Sequence, residues 1–298
     1  MAVPPAYMGF VGFVKVANAV VRATACDIKL SQEVTKPEVV DGAFDRTVYQ
    51  LGPKIVGGSI TYPAVMGDVA NNPTAVMANL CILRHGLEAR LNKTTVEVKY
   101  TTNNASFRYT NCIVNSFNFK VAQSDLITIT SEVIAEDREV ASLTTPNLVN
   151  SRVATWNDAV VELGTEGGIV GGEYIRSFDS TINNNAERYY TLNGKLAPQD
   201  IQARKRDVTG SVVLLGRHPI LSQDSADNQD RCRNTGFVRY GYRLQKAGCA
   251  GTLLIRLPNI VYQIEEIALS TDIFETTVAW HAFPNSNVNQ ENITVTTA

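Results

Sequence analysis

The chain has 298 residues, enough for two cores, and its 27 Lys and Arg against 29 Asp and Glu leave a net charge of −2. That balance argues against a protein built around the clustered positive charge that phosphate binding needs. Charged residues make up 19% and hydrophobic ones 44%, which fits a chain that buries much of its surface against partners.

Residues 7–14 are apolar but too short to span a bilayer, and no basic stretch precedes them, which argues against a signal peptide. The sequons at Asn92, Asn104 and Asn292 carry no weight without secretion. Val76, Leu80, Leu83 and Leu87 are spaced 4, 3 and 4 apart and predict one helical face. Asn72 is placed to cap that helix, Pro73 suits its first position, Gly86 weakens its end, and His85 falls on it. Strands are predicted over 96–100 and 107–114. Phe117, Phe119 and Val121 then form a hairpin with 125–135. In that second arm Ile127, Ile129, Ser131, Val133 and Ala135 share one face, opposite Thr128, Thr130 and Glu132. Polar residues and Pro146 near 144–147 mark a boundary, and the Gly-rich stretch 164–172 reads as a longer loop. Further strands are predicted over 237–244, 252–257 and 261–264. The last is 274–282, with Phe274, Thr276, Val278, Trp280 and Ala282 on its inner face.

Three blocks recur in the same order, the pattern of an internal duplication. Residues 17–21 match 157–161 at an offset of 140. Leu30-Ser31 and 56–60 match Ile182-Asn183 and 208–212 at an offset of 152, and 125–135 matches 272–282 at an offset of 147. Each copy also holds a long polar segment without clear periodicity, 33–54 and 184–206. Segments of about 20 residues of this kind inside a domain usually carry function. Similar lengths suggest a shared job, a hairpin or loop reaching onto a neighbouring subunit.

Motifs that carry chemistry are scarce in this sequence. His85, His218 and His281 belong to no HExxH, Gly-x-Ser-x-Gly or Walker pattern. The pairs at Gly167 and Gly171 lack the spacing of a phosphate loop. Glu136-Asp137 and Glu265-Glu266 read as solvated turns, and the five cysteines (Cys26, Cys81, Cys112, Cys232, Cys249) as reduced, mostly buried thiols rather than a zinc site. No catalytic residue, metal site or cofactor is predicted, and the chain is not read as an enzyme.

The layout resembles the tail tube proteins of tailed phages, in a form with two tube domains in tandem. Residues 156–161, 177–185 and 207–212 carry the resemblance, and 125–130 and 272–277 close each copy. It implies a mainly β fold: two tandem antiparallel β-sandwich or partial-barrel domains over 1–147 and 148–298, each with at most one flanking helix. It implies a virion protein made in the host cytoplasm, self-assembling into rings that stack into a hollow tube with other tail proteins. DNA would pass through without specific binding, and no membrane is involved. Six-fold rings in single-domain relatives imply three tandem chains per ring as a pseudo-hexamer, six chains being the alternative. Lys36, Glu38, Asp45, Arg46, Arg204, Lys205 and Arg206, in the two long segments, are the expected contacts between subunits or rings. Two other readings compete with this one. One is a baseplate hub or tail terminator that closes one ring and stops. The other is a carbohydrate- or ligand-binding β-sandwich using Tyr189, Tyr190, Tyr240 and Tyr242 as platforms.

Overall fold

The computed structural model describes residues 12–35, 50–66, 72–82, 84–85, 90–100, 106–144, 152–165, 168–170, 172–215, 236–243, 252–269, 274–282 and 294–297. The architecture is mainly β, with one α-helix among the described residues. In chain order the first part holds β1 (Gly12–Val16), β2 (Ala19–Val21), β3 (Ala25–Cys26), β4 (Lys29–Thr35), β5 (Gln50–Pro63) and β6 (Val65–Met66). Helix α1 (Pro73–Ile82), β7 (Arg84–His85), β8 (Arg90–Leu91), β9 (Thr94–Tyr100), β10 (Ser106–Ala122), β11 (Thr128–Ala135) and β12 (Asp137–Val140) follow. The second part holds β13 (Arg152–Val153), β14 (Ala159–Thr165), β15 (Gly168–Val170), β16 (Ile175–Asn183), β17 (Glu187–Tyr189) and β18 (Asp200–Gln202). It ends with β19 (Asp207–Leu215), β20 (Gly236–Arg243), β21 (Thr252–Leu269), β22 (Phe274–Ala282) and β23 (Thr294–Thr297).

The strands curl into a barrel-like body. Followed pair by pair, however, the hydrogen-bonded path does not return to its start among the described residues. It runs β4–β5–β11–β10–β16–β19–β22–β21–β20–β14–β15. A branch leaves β10 through β9, β1 and β2. The order β2–β1–β9–β10 recurs as β15–β14–β20–β21, and β4–β5–β11–β10 recurs as β16–β19–β22–β21.

The two long strands show the same device. The first half of β10 pairs with β9 and its second half with β11, with a register shift between Tyr109 and Cys112. Asn111 sits at that change with φ +50, and Asn259 sits with φ +60 where β21 passes from β20 to β22. Asparagine tolerates the left-handed region better than other residues with a Cβ, so one residue turns a strand from one sheet into the next. The separate segments expected at 107–114 and 117–121 are therefore one 17-residue strand, and those at 252–257 and 261–264 are one of 18.

The predicted face of 127–135 holds, and that of 274–282 holds from Thr276 to Trp280, while Ala282 is half-buried and Ala279, on the other face, is buried. Ile127, Ile129, Ser131, Val133 and Ala135 are all fully buried, and Thr276, Val278 and Trp280 are buried opposite exposed His281. Asn72 does cap α1, its Oδ1 accepting from the backbone N–H of Thr74 at 3.0 Å and Ala75 at 3.3 Å. The helix itself differs from expectation. Over Pro73–Ile82 it buries Ala75, Met77, Ala78, Cys81 and Ile82, while Val76 and Leu80 are only half-buried; Leu83 and Leu87 lie outside the described residues. His85 lies in β7. The helix is covered on nearly all sides, so the apolar spacing alone does not select its inner face.

The first repeat block is corrected by the pairings. β14 pairs with β20 as β1 pairs with β9, which makes β14 the counterpart of β1 and not of β2. The second and third blocks keep their offsets: Ser131 faces Ile60, and Val278 faces Val212. One contiguous cluster of buried side chains runs from Val14 to Trp280, so the two halves share a core instead of each filling its own.

Candidate assembly interface

The two halves meet where β10 pairs with β16, from Ser116 opposite Asn183 to Ala122 opposite Ser177. Alternation sends Phe117, Phe119, Phe178 and Ile182 inward, where all are buried. Phe119 meets Phe178 edge-on at 6.3 Å between ring centres, and Tyr240 lies 5.1 Å from Phe178 and 5.2 Å from Phe119. Trp280 stacks on Phe178 at 6.1 Å. Such ring pairs contribute about 0.5–1.5 kcal/mol each beyond their buried area. On the outer face Asn118 donates to Asp179 Oδ1 at 3.1 Å and to Thr181 Oγ1 at 2.8 Å.

Asn184 locks the end of this junction. It is fully buried, and its Nδ2 donates to the Cys81 carbonyl at 2.9 Å while its Oδ1 accepts from Arg206 Nε at 2.9 Å. Arg206 also donates to the Ile82 carbonyl at 2.6 Å and the Cys81 carbonyl at 3.2 Å, serving the C-terminal carbonyls of α1 that no helical N–H can reach. Asn115 completes the arrangement: its Oδ1 accepts from the Ala186 N–H at 2.8 Å and its Nδ2 donates to Glu132 at 2.8 Å.

The polar segment 184–206 carries the β17–β18 hairpin, and this hairpin lies on the first half of the same chain. Lys54 N–H donates to the Leu196 carbonyl and Tyr190 Oη to the Lys54 carbonyl, both at 2.8 Å. Arg188 donates to the Val56 carbonyl at 2.7 Å. Ile201 is buried with Leu91, Ile113 and Ile134. Lys93 Nζ bridges Asp200, at 2.8 Å, and Glu136. Burial works against the Lys93 charge, but the bonds it donates to Asp200 and Glu136 outweigh it and hold the ammonium pKa above the lysine value. Burial likewise opposes the Asp200 charge, yet its bonds from Lys93 and Gln202 keep the carboxyl below the usual aspartate range.

Of the expected contact residues, Arg204 pairs with Glu187 and Lys205 is exposed, its carbonyl accepting from Asn185 at 2.9 Å. Arg206 works inside the chain, as described. Lys36, Glu38, Asp45 and Arg46 lie outside the described residues. The base of their segment is an apolar strip, with Val34, Leu51 and Ile55 between 43% and 48% exposed beside Tyr190 and Leu196. Tyr240 and Tyr242 are fully buried, so they offer no platform to a sugar, while Tyr189 and Tyr190 are exposed. Glu136 and Asp137 are bonded to Lys93 and Lys54. No group of three or more metal-ligating side chains occurs among the described residues, and no described helix is long and apolar enough to cross a membrane. Cys112 is buried, which pushes its thiol up to about 12. His218, Cys232 and Cys249 lie outside the described residues.

Sequence reasoning missed Asn184, Asn111 and Asn259. The only signal for Asn184 is its place in the run Asn183-Asn184-Asn185. For the other two it is an asparagine within a β stretch.

No curated protein matches the chain. A family model described as phage tail tube protein matches residues 62–215, from within β5 to the end of β19, and so contains the whole β10–β16 junction. That match covers more than half of the chain, and the protein belongs to the phage tail tube protein family.

Proposed function

We propose that the chain assembles into rings that stack into the hollow tube of a phage tail, the conduit through which the genome leaves the particle. Family membership makes it a structural component of the tail and so of the virion. The observation that carries the finer reading is the β10–β16 junction. One half's sheet already continues into the other through an ordinary antiparallel pairing, and among the described residues β4 and residues 263–269 of β21 each pair with a strand on one side alone. A barrel-like ring of such units would cover those edges, which are otherwise sites for unwanted strand pairing. Two repeated units per chain, 1–147 and 148–298, descend on this reading from a duplication, and three chains then supply six units to a ring. The near-neutral charge suits a channel that DNA traverses without being held. Synthesis in the host cytoplasm and contact with other tail proteins follow from the same role.

Negative-stain electron microscopy of the purified protein over a range of concentrations tests this. Tubes with a regular axial repeat are expected. Closed rings that never stack would move the assignment to a hub or terminator. A persistent monomer would overturn the assembly role.

A further inference from the structure

We propose that Asn193 is a self-modifying site: its side-chain amide condenses with the backbone nitrogen of Gly194, and Asn193 becomes aspartate or isoaspartate. This does not depend on the ring reading above.

Asn193 is the only asparagine in the chain that glycine follows. The pair lies in the loop that joins β17 to β18, between Tyr189 and Asp200. Leu192, Asn193, Gly194 and Lys195 are all exposed. Gly194 has φ +75, and no atom beyond its chain neighbours lies within 4 Å of the place a Cβ would take. Its N–H makes no hydrogen bond among the described residues. A backbone nitrogen that is unbonded, unshielded and next in the chain to an amide carbon is a poised intramolecular nucleophile.

The amide is held at both ends. Asn193 Oδ1 accepts from the Lys195 N–H, and Nδ2 donates to Gln199 Oε1, both at 3.0 Å. The first bond is an Asx turn, in which the side chain folds back along its own backbone. It closes a ring around Gly194 and keeps Cγ close to that residue's nitrogen. It also sets a donor on the oxygen that gathers negative charge when Cγ is attacked.

The reaction balances with solvent alone. Hydroxide takes the Gly194 amide proton, and the nitrogen adds to Cγ. The Cγ–Nδ2 bond then breaks, and Nδ2 leaves as ammonia with a proton from water. The product is a cyclic imide. Water opens it by breaking either bond to the Gly194 nitrogen. Breaking the one to Cγ gives aspartate. Breaking the one to the backbone carbonyl carbon gives isoaspartate, whose chain runs through Cγ. Nothing is oxidised or reduced, and each conversion adds one negative charge.

The contacts that hold the hairpin bracket this site. Tyr190 Oη donates to the Lys54 carbonyl, and the Lys54 N–H donates to the Leu196 carbonyl. Isoaspartate adds a carbon to the backbone between these two anchors. Conversion therefore loosens the hairpin's hold on the first half of the chain.

Peptide mapping by mass spectrometry tests the site, using the full chain aged in mildly alkaline buffer made with heavy-oxygen water. Asn193 should gain an acid carrying one heavy oxygen, faster as the pH rises, with isoaspartate the larger product. Asn115, which also precedes a small residue but is bonded to Ala186 and Glu132, should stay an amide. An Asn193 that stays an amide overturns the proposal. So does conversion in the folded protein far slower than in guanidinium chloride, because the loop would then shield the amide instead of presenting it. Gly194→Ala sets a methyl group beside the attacking nitrogen and should slow conversion by roughly tenfold or more. Equal rates in the two proteins would mean direct hydrolysis of the amide, and would also overturn the proposal. In the aged protein the Lys54 amide should exchange faster with solvent than in the fresh one. An unchanged rate there would overturn the loosening of the hairpin.

Discussion

At the residue scale the junction depends on a few side chains whose partners are all internal. Asn184→Ala would leave the Cys81 carbonyl and the Arg206 guanidinium each short of a buried partner. Urea unfolding should report a loss of about 2–3 kcal/mol, the range for a buried hydrogen bond to a charged group together with its orphaned partner. An unchanged midpoint would mean that water replaces the amide freely. Asn259 offers a cleaner backbone test because its φ is +60. Asn259→Ala should cost about 1–2 kcal/mol for forcing an ordinary side chain into the left-handed region, whereas Asn259→Gly should cost less. Equal losses for the two would show that the amide side chain, and not the backbone turn, is what matters there. Neither asparagine announces itself in the sequence. An asparagine inside a strand pattern has many bland explanations, and only the register change at that place gives it a role.

At the element scale, the β17–β18 hairpin is held to the first half partly by Lys93, Asp200 and Glu136. Asp200 has a depressed pKa in the fold. Its contribution is therefore fully present above the unfolded aspartate pKa of about 3.9, and is lost as pH falls through the lower folded value. Amide exchange in 187–202 should accelerate more than that of β11 as the pH is lowered through about 4 toward the folded value, and Lys93→Met should remove most of that pH dependence. A hairpin equally protected across that range in both proteins would show that the packing of Ile201, not charge, holds it. The elements differ in how plainly they can be read. The alternation of 127–135 is regular, so its buried face follows directly from the sequence. β10 is not legible as one strand, because the turn at Asn111 and the shift between Val114 and Ser116 change the phase of its alternation. The match of 17–21 with 157–161 misleads because short runs of Ala and Val are common in strands. Pairing partners, which sequence cannot supply, reassign it. From the sequence the polar segment 184–206 is expected to reach a neighbouring subunit, whereas its β17–β18 hairpin docks on the first half of its own chain, a tertiary fact that no local pattern supplies.

For the whole molecule, the family match and the repeated pairing order point the same way. The stretch that matches includes the β10–β16 pairing that joins the two halves of the chain. On that view the chain carries one junction of the ring inside itself and makes the other with its neighbour. The covalent link fixes the order of units and halves the number of pieces to be brought together. The most direct test of the account is a cryo-electron microscopy reconstruction of the assembled protein. Three chains per ring are expected, with six similar units and continuous sheet across alternating internal and chain-to-chain junctions. A ring whose chains meet without strand pairing, or a protein that assembles into no ring at all, would contradict it.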